Sequence, residues 1–467
     1  MSSNAASDTK DNSNLELPGH LKGLSVRRQV LVIAIWPLLE QLLGFLVGFV
    51  DTAIAGRLSV AATEAIAVAA YTGWLLVLMF GAIGIGAAAL VSRAIGGRHR
   101  RLANAALGQA VTCCLIMGLL LAVIVYIVAP WISSLMNLTG DSLRLATAYL
   151  RVIALAAPAN GVLFVINACL RASGDTKTPF RTLAIVNIFN IVLSCTFVFG
   201  PEPFGGHGVE GIAAGTAVAW CVGMCLALRA VLRGKSPIRL RLPRLWPESN
   251  TLRRILKISF PQFLDSLIMW TGNFSIASIV GYIGRTEQTG ALAAHVIVIR
   301  VEALSYLPGW ALAVAAATLT GQYLGLGDKK RARQATGYCL FLAATAMGSM
   351  GVIFMMFPEP LVRLVTSEPR LLELTPQILR ICGPAQIFFA AAMVLDQALR
   401  GAGDTRVATL IVGISTIFIR LPAAYFVGVT LGGGVAGIWL AVCSELALRA
   451  IIITGYYATG RWARVKV

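Results

Sequence analysis

The chain has 467 residues, 57% hydrophobic and only 13% charged, with a mean hydropathy of +0.78 and a formal net charge of +18. Soluble domains are about half apolar and about a quarter charged, so one water-exposed globule cannot bury this much apolar surface. Lipid must be the solvent for most of it, which excludes a soluble enzyme, a nucleic-acid-binding module or a disordered chain as a description of the bulk.

The polar opening MSSNAASDTKDNSNLELPGH has no apolar h-region and no small-residue cleavage site, so residues 1–27 read as a mobile cytoplasmic tail and not a secretory signal. A span needs roughly 20 apolar residues. Six such segments follow, near 30–55, 65–92, 105–130, 146–170, 181–200 and 208–232, giving an N-lobe over 28–232. The stretch RGKSPIRLRLPRLWPESNTLRR is basic and proline-rich, and 233–253 reads as a cytoplasmic linker. Six more segments, near 254–284, 290–321, 336–357, 374–399, 407–430 and 434–458, give a C-lobe over 254–460, with a short cytoplasmic tail at 461–467.

The charge orients these spans. Of the 39 Lys and Arg, 29 fall in alternate connections and at the two ends, seven in the intervening connections, and three (Arg300, Arg420, Arg449) inside apolar runs. That is the positive-inside bias, and it places both termini in the cytoplasm.

The halves also repeat one another. Leu170-Arg171-Ala172-Ser173-Gly174-Asp175-Thr176 recurs 229 residues later as Leu399-Arg400-Gly401-Ala402-Gly403-Asp404-Thr405, and Leu90 to Gly96 recurs at the same offset as Leu319 to Gly325. Gly208-Val209-Glu210-Gly211-Ile212 returns 226 later, and Trp36-Pro37 returns 224 later as Phe260-Pro261. Ordered matches at nearly constant offset mean a duplicated six-helix unit, and two such units can enclose a site near the bilayer midplane. The expected fold is an all-α integral membrane protein, with twelve transmembrane helices in two pseudo-symmetric six-helix bundles. Glycine pairs Gly44/Gly48, Gly211/Gly215 and Gly433/Gly437 fit close helix packing, and Pro37, Pro158, Pro261, Pro308, Pro384 and Pro422 are expected to bend their spans.

Nine cysteines, mostly inside apolar runs, form no CxxC pair or zinc-type cluster, so no disulfide framework, metal site or cofactor is expected. Ionisable groups inside spans are costly and are the functional candidates. Asp51, in GFVDTAIAG, has no cation near it in sequence. Glu40, Asp265, Glu302, Asp396 and Glu445 are secondary candidates. Arg449 is one turn from Glu445 and Arg400 one turn from Asp396, so internal ion pairs compete with a transport role there. His295 reads as a packing histidine. Gly234-Lys235-Ser236 lacks the glycine that a phosphate loop needs at position 229, and no hydrolase or kinase signature occurs. With no nucleotide site, coupling to an ion gradient remains.

At this point LRASGDTKTP and LRGAGDTRVA, FVDTAIAG, and ALAAHVIVIRVEALSYLPGWALAVAAATLTGQYLG together resemble the multidrug and toxic compound extrusion (MATE) transporters over roughly residues 28 to 460. The resemblance implies a V-shaped, two-lobed secondary-active exporter in the plasma membrane, most simply a bacterial inner membrane. It would expel small organic, cationic or amphipathic compounds in exchange for H⁺ or Na⁺, as a monomer, without cofactor and without nucleic acid. The wider superfamily supplies an alternative, a lipid-linked precursor flippase. Carried over by position, the family's first-span aspartate matches Asp51, its fifth-span asparagine Asn190 and its sixth-span threonine Thr216. Where many members carry a second aspartate this chain has Ser194, which weakens a Na⁺ cage at Asp51, Asn190 and Thr216 and favours H⁺. A C-lobe aspartate of NorM-type members is replaced by Phe389, while Val394-Leu395-Asp396 is more similar to the DinF-type branch.

Overall fold

The computed structural model describes residues 16–58, 60–135, 138–201, 205–234, 236–286 and 290–465; between 45 and 74 most residues, Asp51 among them, are described by backbone alone. The described residues are helical almost throughout, with no strand among them. Six long helices precede the basic stretch: α1 (Val26–Leu58), α2 (Val60–Gly96), α3 (Arg100–Leu135), α4 (Gly140–Ala172), α5 (Lys177–Phe199) and α6 (Gly208–Leu232). Six follow it: α7 (Ser249–Thr286), α8 (Ala291–Gly325), α9 (Lys329–Met356), α10 (Pro369–Gly401), α11 (Thr405–Thr430) and α12 (Gly434–Ala458). Eleven of these contain a stretch long and apolar enough to cross a bilayer, and α1, with 33 residues, completes the expected set. Their outward faces suit lipid: on α3, Leu120 and Val123 are each 59% exposed and Ile127 69%.

Most helices overrun the apolar segments by several residues, because the chain stays helical past the last residue that needs lipid. Helix α11 departs from regular winding. Residues Ser415–Arg420 and Phe426–Thr430 form wide i→i+5 turns on either side of Leu421–Tyr425. Pro422 lies between them and has no N–H to give to the ladder.

The chain divides into two compact units, residues 35–259 and residues 1–34 with 260–467. The division falls inside α1 and α7 and not in the basic connection: each helix begins in one unit and continues in the other. Within the first unit α4 packs against α2, α3 and α6, and α5 packs against α6. Within the second the equivalent partners recur, α10 against α8, α9 and α12, and α11 against α12. The pseudo-symmetric pair of bundles is therefore visible in the packing as well as in the sequence.

The repeated motif is a helix-ending turn. Asp175 N donates to Leu170 O (3.0 Å) and Gly174 N to Arg171 O (3.0 Å); 229 residues later Asp404 N donates to Leu399 O and Gly403 N to Arg400 O, both at 2.9 Å. Gly174 (φ +95°) and Gly403 (φ +85°) occupy the left-handed region that closes the turn. Asp175 then caps α5, accepting from Thr178 N at 3.1 Å and from its hydroxyl at 2.8 Å, whereas Asp404 accepts from the Tyr456 hydroxyl at 2.6 Å.

The turn after α2 matches the turn after α8 in the same way, with His99 N to Ala94 O at 2.8 Å and Asp328 N to Tyr323 O at 2.9 Å. Here the second copy has Gly327 at φ +81°, and the first has Arg98 at φ +60°. A side chain in that region is strained by about 1 kcal/mol. Arg98→Gly is expected to stabilise the fold by up to about 0.5 kcal/mol, after allowing for the extra chain entropy of glycine. Thermal unfolding of the purified variant in detergent checks this, and an unchanged or lowered midpoint counts against it.

Parts of the expected tail and of the expected linker pack against the helices. Residues 1–15 of the predicted tail lie outside the described residues, but Leu17 and Leu21 are buried in the core of the second unit with Ile33, Leu319 and Tyr323. Gln29 fastens them: its amide donates to Leu21 O and Leu24 O (3.2 and 2.9 Å) and its carbonyl accepts from the Tyr323 hydroxyl at 2.5 Å. Residues 17–24 are held because Leu17 and Leu21 join that hydrophobic cluster.

The basic stretch is likewise docked along α3. Gln109 donates to Arg244 O and Trp246 O (3.0 and 2.7 Å), the Thr112 hydroxyl donates to Leu245 O at 2.8 Å, and Asn104 accepts from Arg239 N at 2.8 Å. A Cβ on Gly108 would lie 2.3 Å from Arg244 O, so the backbone rests directly on α3. Ile238 and Leu240 are buried beneath it. Backbone groups satisfied by α3 side chains, together with two buried aliphatics, make a strap of the expected linker.

Candidate functional site

In the first unit, Gly215 on α6 lets α5 approach closely; a Cβ there would stand 2.7 Å from Ser194 Oγ and 2.8 Å from Ser194 N. Gly211, one turn earlier, does the same against Phe197 O (2.9 Å). Across this seam Asn190 Nδ2 donates to Thr216 Oγ1 at 2.8 Å, and the Thr216 hydroxyl donates back to Ile212 O at 3.1 Å. The structure thus brings together Asn190, Ser194 and Thr216. Asn190 and Ser194 are buried, and Asn190 Oδ1 and Ser194 Oγ have no hydrogen-bond partner among the described residues. Orphaned oxygens in a lipid-embedded bundle are costly unless something donates to them or is coordinated by them. Asp51 belongs to α1, but its side chain lies outside the described residues. The Asn137-Leu138-Thr139 sequon has its Asn137 outside them too.

The secondary acids are all engaged. Glu40 accepts from Arg171 Nη1 at 2.9 and 3.2 Å through its two oxygens, a pair 131 residues apart. In the second unit Arg400 binds Asp396 through Nε and Nη2 (2.6 and 2.9 Å), reaches Asp265 Oδ2 at 3.1 Å, and donates from Nη1 to Gln262 Oε1. Arg171 and Arg400 occupy equivalent positions of the repeat, and each binds the acid that follows the proline of its lobe's first helix: Glu40 after Pro37, Asp265 after Pro261.

Glu445 lies between two arginines, Arg420 (Nε, 2.8 Å) and Arg449 (Nη2, 2.8 Å). Glu302 accepts from Gln386 Nε2 at 2.9 Å, and Gln386 Oε1 accepts from the Ser305 hydroxyl at 2.6 Å. His295 is buried with its ring 5.3 Å from that of Trp439, a packing position. Phe389 sits against Tyr306, with ring centroids 6.5 Å apart. Among the described residues no group of three or more His, Cys, Asp or Glu is placed to hold a metal ion.

Sequence reasoning missed three participants. Arg171 is the repeat partner of Arg400, which is the signal that could have paired it with Glu40. Arg420, one of only three basic residues inside apolar runs, needed a carboxylate from another helix. Gln386 gave no sequence signal, since an uncharged amide within a span is unremarkable until its neighbour is known.

The MatE family model matches residues 38–196 and 261–426. The chain is 28% identical over 442 residues to a probable multidrug resistance protein NorM of Thermotoga maritima, covering 95% of this chain and 94% of that protein. It is 26% identical over 442 residues to the multidrug resistance protein MdtK of Yersinia pseudotuberculosis, covering 91% and 94%. Among solved structures, a MOP superfamily transporter from Pyrococcus furiosus matches with a TM-score of 0.86 at 19% identity, over 95% of this chain and 98% of that one. A multidrug resistance MATE family transporter in an outward-facing conformation matches with a TM-score of 0.83 at 20% identity, with the same coverage. These structural likenesses carry the two-lobed fold.

Proposed function

Because this chain belongs to the MATE family, whose members are transporters and not enzymes, we propose that it is a secondary-active exporter of small organic compounds, driven by inward flow of H⁺. The substrates are cationic or amphipathic, and the protein works as a monomer in the plasma membrane, a bacterial inner membrane, with both termini in the cytoplasm. The relatives named for multidrug resistance support the substrate class, and the 29-to-7 division of basic residues supports the orientation. Alternating access of the two lobes moves the substrate.

The observation that carries the coupling site is the pair of orphaned buried oxygens, Asn190 Oδ1 and Ser194 Oγ, on the α5–α6 seam. Together with Asp51 and Thr216 they supply hard oxygen ligands to a transient proton or cation. Ser194 contributes no negative charge, so one carboxylate, Asp51, serves the site. A single acid suits a proton better than a Na⁺ ion, which needs several oxygens and gains from a second charge. Phe389, packed on Tyr306, supplies no cation ligand in the second unit, and with Asp396 it supports a place nearer the DinF-type branch.

Carrier coupling requires that ion and substrate each change the other's affinity between states. Asp51→Asn is therefore expected to abolish gradient-driven efflux from proteoliposomes while leaving expression and unfolding midpoint near wild type. Efflux measured under imposed pH and Na⁺ gradients applied separately should respond to the pH gradient alone. Unchanged efflux by Asp51→Asn would remove it from the mechanism, and Ser194→Asp should increase any response to Na⁺.

A further inference from the structure

The strap from Arg233 to Ser249 carries an outward face that lies outside the proposed coupling site. Trp246 is 80% exposed and Leu242 71% exposed. The hydrogen bonds that Gln109 and Thr112 donate, the one Asn104 accepts and the rest on Gly108 fix the backbone on α3, so these two side chains are held outward and not left on a wandering loop. From Arg229 to Lys257 the chain has nine Lys and Arg and one acid, Glu248. Glu248 pairs with Arg244 at 3.3 Å. Arg233, Arg239, Arg241 and Arg253 are exposed and have no carboxylate within salt-bridge distance among the described residues.

An exposed tryptophan and leucine flanked by arginines would be an aggregation hazard in water. At the boundary of a bilayer the same set is complementary to its surroundings: the indole and the aliphatic chain enter the acyl boundary, and guanidinium groups meet phosphates. The strap also runs directly into two membrane-crossing helices, α6 and α7, which keeps it near headgroup depth.

We propose that this strap is a docking surface for anionic phospholipid headgroups. Trp246 and Leu242 insert at the interface, and Arg239, Arg241 and Arg253 gather lipids bearing net negative charge. The proposal rests on the strap's geometry and composition and is independent of the substrate, the coupling ion and the sidedness of the chain.

The full chain is reconstituted in phosphatidylcholine vesicles containing a minor fraction of brominated lipid, either phosphatidylglycerol or phosphatidylcholine. The fluorescence of Trp246 is isolated as the difference between wild type and Trp246→Phe. Brominated phosphatidylglycerol is expected to quench Trp246 with a relative binding constant roughly fivefold or more above brominated phosphatidylcholine, since each basic residue at an anionic surface contributes about that factor. The preference should fall toward one in the Arg239→Gln/Arg241→Gln/Arg253→Gln variant. Those positions are exposed, so size-exclusion profile and unfolding midpoint should stay at wild-type values.

Inorganic phosphate at constant ionic strength should leave the preference intact. Its removal by phosphate would mean a pocket for a free anion and would overturn the lipid assignment. Equal quenching by the two lipids, no quenching by either, or a preference that survives the triple substitution would each overturn it as well.

Discussion

Replacing Arg400 with methionine should destabilise the protein by about 3–5 kcal/mol, the cost of removing one partner from a buried ion pair. The reason is electrostatic bookkeeping within the second unit. Arg400 is buried and faces two carboxylates at once, Asp396 at 2.6 Å and Asp265 at 3.1 Å, with Gln262 as a third acceptor. Without it, two acids share a low-dielectric site with no cation in ion-pair contact, and Asp265 already has one oxygen, Oδ1, without a partner among the described residues. Adding Asp265→Asn and Asp396→Asn to Arg400→Met should recover a large part of the loss. The equivalent change in the first unit, Arg171→Met, should cost less, because Arg171 and Glu40 side chains each remain 16% exposed and water can rehydrate the survivor. Unfolding midpoints in detergent for the three variants give the comparison, and equal losses for Arg171→Met and Arg400→Met would contradict it.

Glu445→Leu should be similarly severe, again about 3–5 kcal/mol, for the opposite sign of charge. Its side chain is 1% exposed and holds Arg420 and Arg449 apart from each other as their common acceptor. Deleting it leaves two buried guanidinium groups without their common carboxylate, and Arg449 keeps only the Thr416 hydroxyl at 3.3 Å and the Met269 sulfur at 3.8 Å as acceptors among the described residues. Replacing all three by leucine should restore most of the stability, since a buried ion triad and an apolar packing of similar volume are often near equal. If Glu445→Leu alone unfolds at the wild-type midpoint, the cluster is solvated and the argument fails. Neither variant bears on the identity of the substrate.

How much of this was legible beforehand depends on the range of the interactions. Twelve spans and their doubling are local or periodic properties, and the chain states them directly in apolar runs and in LRASGDT and LRGAGDT. The i,i+4 pairs Asp396–Arg400 and Glu445–Arg449 could be read for the same reason: one helical turn fixes their geometry. Pairings between distant segments could not be read. Glu40 with Arg171, Asp265 with Arg400, and Arg420 with Glu445 depend on which helix faces meet, and that is set by packing.

Leu17 and Leu21 looked like part of a polar tail, because two leucines among charged and small residues give no periodic signal. The strap looked like a linker because proline and arginine are common in both. Its order comes from Gln109, Thr112 and Asn104, more than 120 residues away, and from a glycine whose missing side chain leaves room for backbone. Of the coupling site, the sequence supplied Asn190, Ser194 and Thr216 through family resemblance, and the structure supplied the seam that brings them together.

The wide turns of α11 have a geometric consequence. Every residue added to a turn rotates all later side chains by about 100° around the axis. A uniformly wound α11 would thus have aimed Arg420 at another sector of its surroundings, and the Glu445 carboxylate would have one guanidinium instead of two. A single-residue deletion among positions 415–419 would restore regular pitch and leave that arginine in about its present sector, so the wide turn works as an angular setting that absorbs one residue to aim one charge.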